Sequence, residues 1–191
     1  LAPYFSPNAK DIPERFKDKD GYWTGFAARA RIIIYNKELI PKEEIPRSIY
    51  DLLNPKFRGR IAIANPLFGT TSTHSSALFS YLGEEKAKEF FEKLKENRVL
   101  IVHGNSIVKD MVANGEALFG LTDTDDAQVA IQSGKPVGIV YPDQEGMGTL
   151  IIPNTVSLIK GAPHPEEGKK LIDYLLTPRV EEKLANSNAV Q

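Results

Sequence analysis

Short apolar runs alternate with amphipathic stretches through most of the chain, and this pattern predicts alternating strands and helices. Residues 31–36 and 60–64 are runs of β-branched and small apolar residues, which are typical of buried strands. Further strands are predicted at residues 99–103, 117–122 and 137–141 and within residues 146–160. Strands that alternate with helices across short connections predict an α/β fold with a mainly parallel sheet and flanking helices.

The helices are predicted from apolar residues at helical spacing. In residues 84–97, Ala87, Phe90, Phe91 and Leu94 recur on one face of an amphipathic helix. One helix is predicted to follow the loop at residues 65–73 and to end near residue 82. The other predicted helices span residues 48–53, 106–113, 125–132, 165–176 and 178–185.

The composition is that of an ordinary globular protein, with 41% hydrophobic and 26% charged residues. The 24 basic and 25 acidic residues nearly cancel. This balance argues against a nucleic-acid-binding protein, because such proteins need a basic face to neutralise phosphates. The chain has no cysteine, so disulfides, thiol catalysis and thiolate metal sites are excluded.

A polar loop rich in hydroxyl groups follows the strand at residues 60–64 and precedes a helix. It contains Gly69, Thr70, Thr71 and Ser72. Free backbone N–H groups at a helix start attract anions, and hydroxyl groups add further donors. The loop is therefore a candidate site for phosphate, carboxylate or carbonate. The alternative is that a Thr or Ser side chain simply caps the helix.

Two more polar loops follow predicted strands. Asn105 and Ser106 lie between a strand end and a helix start, where a ligand contact and a capping turn by Ser106 are both consistent with the sequence. Asp123, Asp125 and Asp126 suit a hard cation, an amine or sugar hydroxyls, or they cap a helix and complement its dipole. Because parallel strands end at one edge of a sheet, the three loops are expected to line one crevice.

Aromatic and histidine residues add weaker candidates. Tyr22 and Trp23 form an adjacent pair that suits one wall of a ligand cleft, or packing beneath a loop. His74 and His103 lie beside the polar loops and are interpreted as structural, and His164 is expected to be exposed. The sequence has no GxSxG, HExxH or Ser-His-Asp arrangement, so no catalytic motif is identified.

Several short segments follow one another in a characteristic order. They are ARARIIIYN at residues 28–36, DL at 51–52, PKFRGRI at 55–61, NS at 105–106, NGE at 114–116, APHPEE at 162–167 and KLIDYLL at 170–176. Their order and spacing resemble those of the periplasmic iron(III)-binding proteins of ABC importers, which have the type II periplasmic-binding fold. The resemblance runs over nearly the whole chain.

The resemblance implies two α/β lobes joined by hinge strands. Residues 1–35 would hold a hinge and a remnant of the first lobe, residues 36–145 the second lobe, and residues 146–191 a hinge strand and helices that return to the first lobe. A further N-terminal part of the first lobe would precede this sequence. The resemblance also implies a periplasmic or extracellular location, association with the membrane through the importer's permease, and a monomer at full length.

The resemblance also assigns roles to the polar loops. The family's anion-binding helix start falls on residues 69–72, and a further anion contact falls on Asn105. The family's paired iron-binding tyrosines fall on Asp125 and Asp126, where this sequence departs from the family pattern. Carboxylates still offer hard oxygen ligands. The expected ligand is therefore either ferric ion with a synergistic anion or an anionic small molecule, such as a sugar phosphate or a phosphonate.

Two functions from different classes follow from these features. The main expectation is the solute-binding component of an ABC importer, not an enzyme, whose ligand is held by residues 69–72, Asn105 and Asp123, with Tyr22 and Trp23 as further contacts. The alternative is an α/β enzyme that acts on a phosphorylated small molecule, with an Asp as general base and the Thr-rich loop as phosphate cradle.

Overall fold

The apolar run that begins at Arg31 lies inside a longer strand, β1 (Thr24–Asn36). In the computed structural model, which describes residues 1–187, β1 pairs with three other strands, β4, β5 and β6. The prediction that the strand begins at residue 31 is therefore wrong, because pairing partners distant in sequence extend it toward Thr24. The other elements are β2 (Ile61–Ala64), α1 (Gly69–Leu82), α2 (Glu84–Glu96), β3 (Leu100–Val102), α3 (Asn105–Ala113), β4 (Phe119–Asp123), α4 (Thr124–Gln132), β5 (Val137–Val140), β6 (Ile151–Val156), α5 (Pro165–Leu175) and α6 (Pro178–Ala185).

The chain divides into two compact units. Unit 1 comprises Leu1–Arg29 and Ile151–Gln191, and unit 2 comprises Ala30–Leu150. The helix predicted at residues 48–53 is a short 3₁₀ helix, Ile49–Leu53, instead of an α-helix. Pro55 follows it closely and disfavours helical backbone in the residue before it, so the segment cannot extend to a full α-helix.

The sheet has the order β3-β2-β4-β1-β5, and β6 also pairs with β1. β2 runs parallel to both β3 and β4, whereas β1 runs antiparallel to β4 and β5. Four strands of this path therefore run in one direction and β1 alone runs in the other. The prediction of an α/β fold with a mainly parallel sheet is confirmed.

Unit 2 buries both faces of its sheet. Ile33, on one face, belongs to an apolar cluster with Phe90 and Leu94 of α2. Ile32 and Ile34, on the other face, belong to a second cluster that includes residues of α3 and α4. A strand covered on both faces needs apolar residues in succession, which explains why its sequence lacks the alternation of a half-exposed strand.

Unit 1 has its own apolar cluster, which contains Ala9, Leu158, Ile172 and Leu176. Asp173 of α5 ties the N-terminal segment to this cluster, because it accepts hydrogen bonds from Tyr4 Oη and Ser6 Oγ. Among residues 1–187 there is no helix whose length and apolar character would allow it to cross a membrane.

Gly120 of β4 offers a direct test of how tightly the sheet packs against α3. A Cβ atom at this position would lie 2.4 Å from the Ala62 carbonyl oxygen and 2.5 Å from Val108 Cγ1. We expect Gly120→Ala to lower the free energy of unfolding by about 1–3 kcal/mol in urea denaturation, since overpacking forces the strand and helix apart. Gly146→Ala is the matched control, because its Cβ would meet only the Asp143 carbonyl oxygen at 3.7 Å. Equal stability of the two variants would contradict the packing described here.

Candidate functional site

Three helices of unit 2 begin at the same edge of the sheet. β2, β3 and β4 are neighbours that run in the same direction, so their carboxyl ends meet at this edge. α1 begins after β2, α3 after β3 and α4 directly after β4. The predicted meeting of the three polar loops therefore follows from the observed strand order.

Arg31 of β1 lies at this edge because β1 runs against its neighbours and places its residue 31 opposite Asp123. Arg31 Nη1 donates to Asp123 Oδ1 at 2.6 Å, to Asn105 Oδ1 at 3.1 Å and to Thr70 Oγ1 at 3.2 Å. Arg31 Nη2 donates to Thr71 Oγ1 at 3.2 Å. One guanidinium group thus contacts a side chain from each of the three loops.

The same side chains also bond to one another. Thr70 Oγ1 donates to Asp123 Oδ2 at 2.6 Å, and Asn105 Nδ2 donates to Asp123 Oδ2 at 2.9 Å and to Thr70 Oγ1 at 2.8 Å. Thr71 Oγ1 donates to Asn105 Oδ1 at 3.3 Å. Arg31, Thr70, Thr71, Asn105 and Asp123 therefore form one connected set, which we call the Arg31 network.

The ion pair at the centre of the Arg31 network is buried. Arg31 is 0% exposed and Asp123 is 2% exposed. Burial lowers the pKa of Arg31, and the nearby carboxylate of Asp123 opposes that shift. Because each charge has lost its water, each depends on the other for compensation, and removing one partner leaves an uncompensated buried charge.

His74 lies on α1 one turn after Thr70 and is 6% exposed. Burial, and secondly the positive charge of Arg31, lower the pKa of His74 to about 4, while Asp123 opposes the shift. His74 is therefore neutral at pH 7. Its Nδ1 atom has no hydrogen-bond partner among residues 1–187, and this burial agrees with the structural role predicted for it.

Side-chain capping, the alternative for the first two loops, is wrong, whereas Asp125 and Asp126 do lie in the first turn of α4, where acidic residues complement the helix dipole. The residues at the N-cap positions of α1, α3 and α4 are Phe68, Gly104 and Asp123, and no side chain makes a capping bond at these helix starts in the described chain. Ser106 is exposed within α3 instead of capping it. The physical reason at α1 and α3 is that Phe68 and Gly104 have no side-chain acceptor, and at α4 the carboxylate of Asp123 is engaged in the Arg31 network.

Asp123, Asp125 and Asp126 form an acidic group at the start of α4. Each offers one carboxylate oxygen, and these atoms lie within 4.8 Å of one another. Asp125 and Asp126 are half-buried in the first turn, whereas the carboxylate of Asp123 accepts the hydrogen bonds of the Arg31 network. The group therefore places two half-buried acidic residues beside Asp123, whose carboxylate is paired with Arg31.

The remaining predicted residues are distributed over both units. In unit 2, Gly69 is exposed and Ser72 is half-buried at the start of α1. Tyr22 is exposed and Trp23 is half-buried, and both belong to unit 1. Their place in a cleft shared with the polar loops stays a prediction, as do the ligand contacts assigned to residues 69–72, Asn105 and Asp123. His103 and His164 are both exposed, so the exposure expected for His164 is confirmed.

Arg31 is the central residue that the sequence pattern did not identify as part of the site. Its signal was a charged residue directly before the apolar run of a buried strand, where charge is costly unless it is paired. The partner was not evident, because a mainly parallel arrangement would carry residue 31 away from the carboxyl ends of the other strands.

Polar strand ends collected at one edge of an α/β sheet define a class of ligand-binding protein. Residues 1–190 match a family described as bacterial extracellular solute-binding protein, and the chain belongs to this family. The resemblance to periplasmic iron(III)-binding proteins is thereby confirmed. The rival prediction of an α/β enzyme is not supported, because the family consists of binding proteins.

Individual relatives are moderately similar. The chain is 32% identical over 190 residues to iron uptake protein A1 of Synechocystis sp., covering 93% of this chain and 52% of that protein. It is 25% identical over 189 residues to a Salmonella typhimurium periplasmic protein whose name refers to 2-aminoethylphosphonate binding, covering 97% and 54%. The structure of the ferric binding protein from Campylobacter jejuni matches with a TM-score of 0.88 at 26% identity, covering 98% of this chain and 63% of that one. The chain thus spans about half the length of the curated relatives it matches.

The buried His74 makes the stability of the folded protein depend on pH, in a direction that follows from its lowered pKa. The His74 pKa is about 4 in the folded chain and 6.5 in the unfolded chain, so only the unfolded chain takes up this proton between these values. Stability should therefore fall as the pH drops from 6.5 to 4, by up to about 3 kcal/mol from this group, and the group contributes no slope above pH 6.5. We expect His74→Gln to unfold in urea with a flatter pH profile in this window. His103→Gln, at an exposed position, should keep the wild-type slope. An unchanged slope in His74→Gln would contradict the burial of a neutral imidazole.

Proposed function

We propose that the protein is the solute-binding component of an ABC importer and that its ligand carries a phosphoryl, phosphonyl or similar anionic group. The observation that carries this proposal is the meeting of three helix starts, those of α1, α3 and α4, at one sheet edge. First-turn N–H groups have no acceptor inside their own helix, and the helix dipole adds positive potential there. A group with several anionic oxygens suits such an edge.

The anionic end of the ligand is best accommodated at the start of α1. Gly69 is exposed there with φ +57, and a Cβ atom at this position would meet nothing within 4 Å. The main-chain N–H groups of residues 69–71 and the Ser72 hydroxyl are the donors that we assign to the ligand, since the Ser72 N–H donates to the Phe68 carbonyl oxygen. The Thr70 and Thr71 side chains serve beneath them in the Arg31 network.

The other end of the ligand is proposed to be cationic. Asp125 and Asp126 stand half-buried at the start of α4, near the anion-binding edge. A primary ammonium group bound to these carboxylates would complete a zwitterionic ligand, of which an aminophosphonate is the simplest example. The relative whose name refers to 2-aminoethylphosphonate binding supports this ligand class.

Ferric ion with a synergistic anion is the second candidate ligand. It is favoured by the three carboxylate oxygens of Asp123, Asp125 and Asp126 within 4.8 Å of one another, and by the relatives named for iron uptake or ferric binding. Hard oxygen ligands suit a hard cation. Asp123 is the weakest of the three ligands, because its carboxylate already accepts hydrogen bonds from Arg31 and Thr70.

The wider setting follows from the family. We place the protein in the periplasm or outside the cell, where its liganded form docks on the membrane permease of the importer. The division into residues 1–35, 36–145 and 146–191 would correspond to two lobes and their hinge strands, which close around the ligand. Tyr22 and Trp23 would then line the first-lobe side of the cleft, and the protein would work as a monomer.

Isothermal titration distinguishes the two ligand classes. We expect 2-aminoethylphosphonate to bind the wild-type protein, and the variant Asp125→Asn/Asp126→Asn to bind it about 10- to 100-fold more weakly, because charge-assisted hydrogen bonds are lost. Methylphosphonate, which has no amine, should bind both proteins alike. Glu84→Gln/Glu85→Gln is the matched control, since it removes two exposed carboxylates from the first turn of α2.

Other results of this titration would change the assignment. Binding of ferric citrate alone, lost in the Asp125→Asn/Asp126→Asn variant, would establish the second candidate in place of the first. A folded protein that binds no phosphonate, no sugar phosphate and no ferric citrate would contradict the delivery of such ligands altogether.

A further inference from the structure

We propose that Arg31 is a positioning residue of the ligand site, which aligns the three helix starts from beneath without contacting the ligand. The expected effect of Arg31 on ligand binding rests on the proposed function. The expected effect of Arg31 on how rigidly the three helix starts are held does not depend on any ligand. Nothing in the residue's charge alone would suggest this role, because an arginine beside an anion site is usually expected to bind the anion.

The first argument is that Arg31 is covered by the residues it holds. It is 0% exposed, and its terminal nitrogens already donate to Asp123, Asn105, Thr70 and Thr71. A ligand at the surface of the edge would meet the main chain of α1 before it met the guanidinium group. Arg31 therefore has no exposed surface, both of its terminal nitrogens are engaged, and its Nε atom, which has no partner among residues 1–187, is buried.

The second argument concerns charge. Asp123 lies 2.6 Å from Arg31 Nη1 and is equally buried, so the pair has little net charge toward the ligand. An anion outside the network would be attracted by Arg31 and repelled by Asp123 to a similar degree. The pair is thus poorly suited to attract the ligand and well suited to fix the relative positions of the three helix starts.

The third argument is that the acceptors belong to different loops. Thr70 and Thr71 lie after β2, Asn105 lies after β3 and Asp123 ends β4. A planar guanidinium group with five N–H donors can join acceptors from three directions, whereas a lysine ammonium group has a single nitrogen. The predicted consequence is that the three helix starts gain or lose order together.

Hydrogen exchange followed by NMR tests this consequence in the absence of ligand. In Arg31→Lys we expect the amides of residues 69–72, 105–106 and 124–126 to exchange about tenfold faster or more, since the network that restrains them is lost. Amides in the middle of α2 should be unchanged. Arg58→Lys, at an exposed position, is the control and should leave all of these amides unchanged. Faster exchange throughout α2 as well would reduce Arg31 to a general stabilising residue and overturn the proposal.

A double-mutant cycle tests the effect on binding of 2-aminoethylphosphonate. We expect Arg31→Met and Asp123→Leu each to weaken binding about 10- to 100-fold, as is typical of residues that orient ligand contacts. The double variant should be no weaker than the weaker single variant, because the two residues act as one unit. Losses that multiply in the double variant would indicate separate ligand contacts and would overturn the proposal. If the wild-type protein binds no ligand, the proposed function fails, and the exchange measurement alone decides the role of Arg31.

Discussion

The buried ion pair between Arg31 and Asp123 is the interaction on which the architecture of the site depends. Both side chains are almost fully removed from water, and such burial is costly unless charges are paired and the remaining donors are satisfied. Thr70, Thr71 and Asn105 accept hydrogen bonds from the terminal nitrogens of Arg31, whereas its Nε atom has no partner among residues 1–187. Some of the residues that the sequence suggests as ligand contacts therefore stabilise the buried charges of the chain itself.

The direction of β1 makes this pair possible. Four strands of the sheet run in the same direction, so their carboxyl ends lie at one edge. β1 runs in the opposite direction, and its residue 31 therefore lies at the same edge. A buried arginine therefore lies at the sheet edge where the parallel strands end and the helices α1, α3 and α4 begin. The family accounts for the fold, and the cationic ligand end proposed for Asp125 and Asp126 is the part of the account that departs from the family's tyrosine pattern.

The order of elements and the meeting of the three loops could be predicted from the sequence, because apolar runs and polar strand ends are local patterns. Residues 84–97 are the clearest case, where the spacing of Phe90 and Leu94 predicted a helix found at Glu84–Glu96. The strand that begins at Thr24 and the role of Arg31 could not be predicted, because both depend on pairing partners far away in sequence. The capping role predicted for Ser106 was wrong because α3 begins one residue earlier, at Asn105, so that Gly104 occupies the N-cap position.

The most direct test of the central claim, that an anion binds at the helix starts of unit 2, is amide chemical-shift mapping during titration with inorganic phosphate. The account predicts that the largest shifts fall on residues 69–72 and 105–106, while the start of α2, which is also a helix N-terminus but lies outside the site, stays unchanged. Shifts that fall mainly at the start of α2, or shifts distributed evenly over all helix starts, would contradict the account.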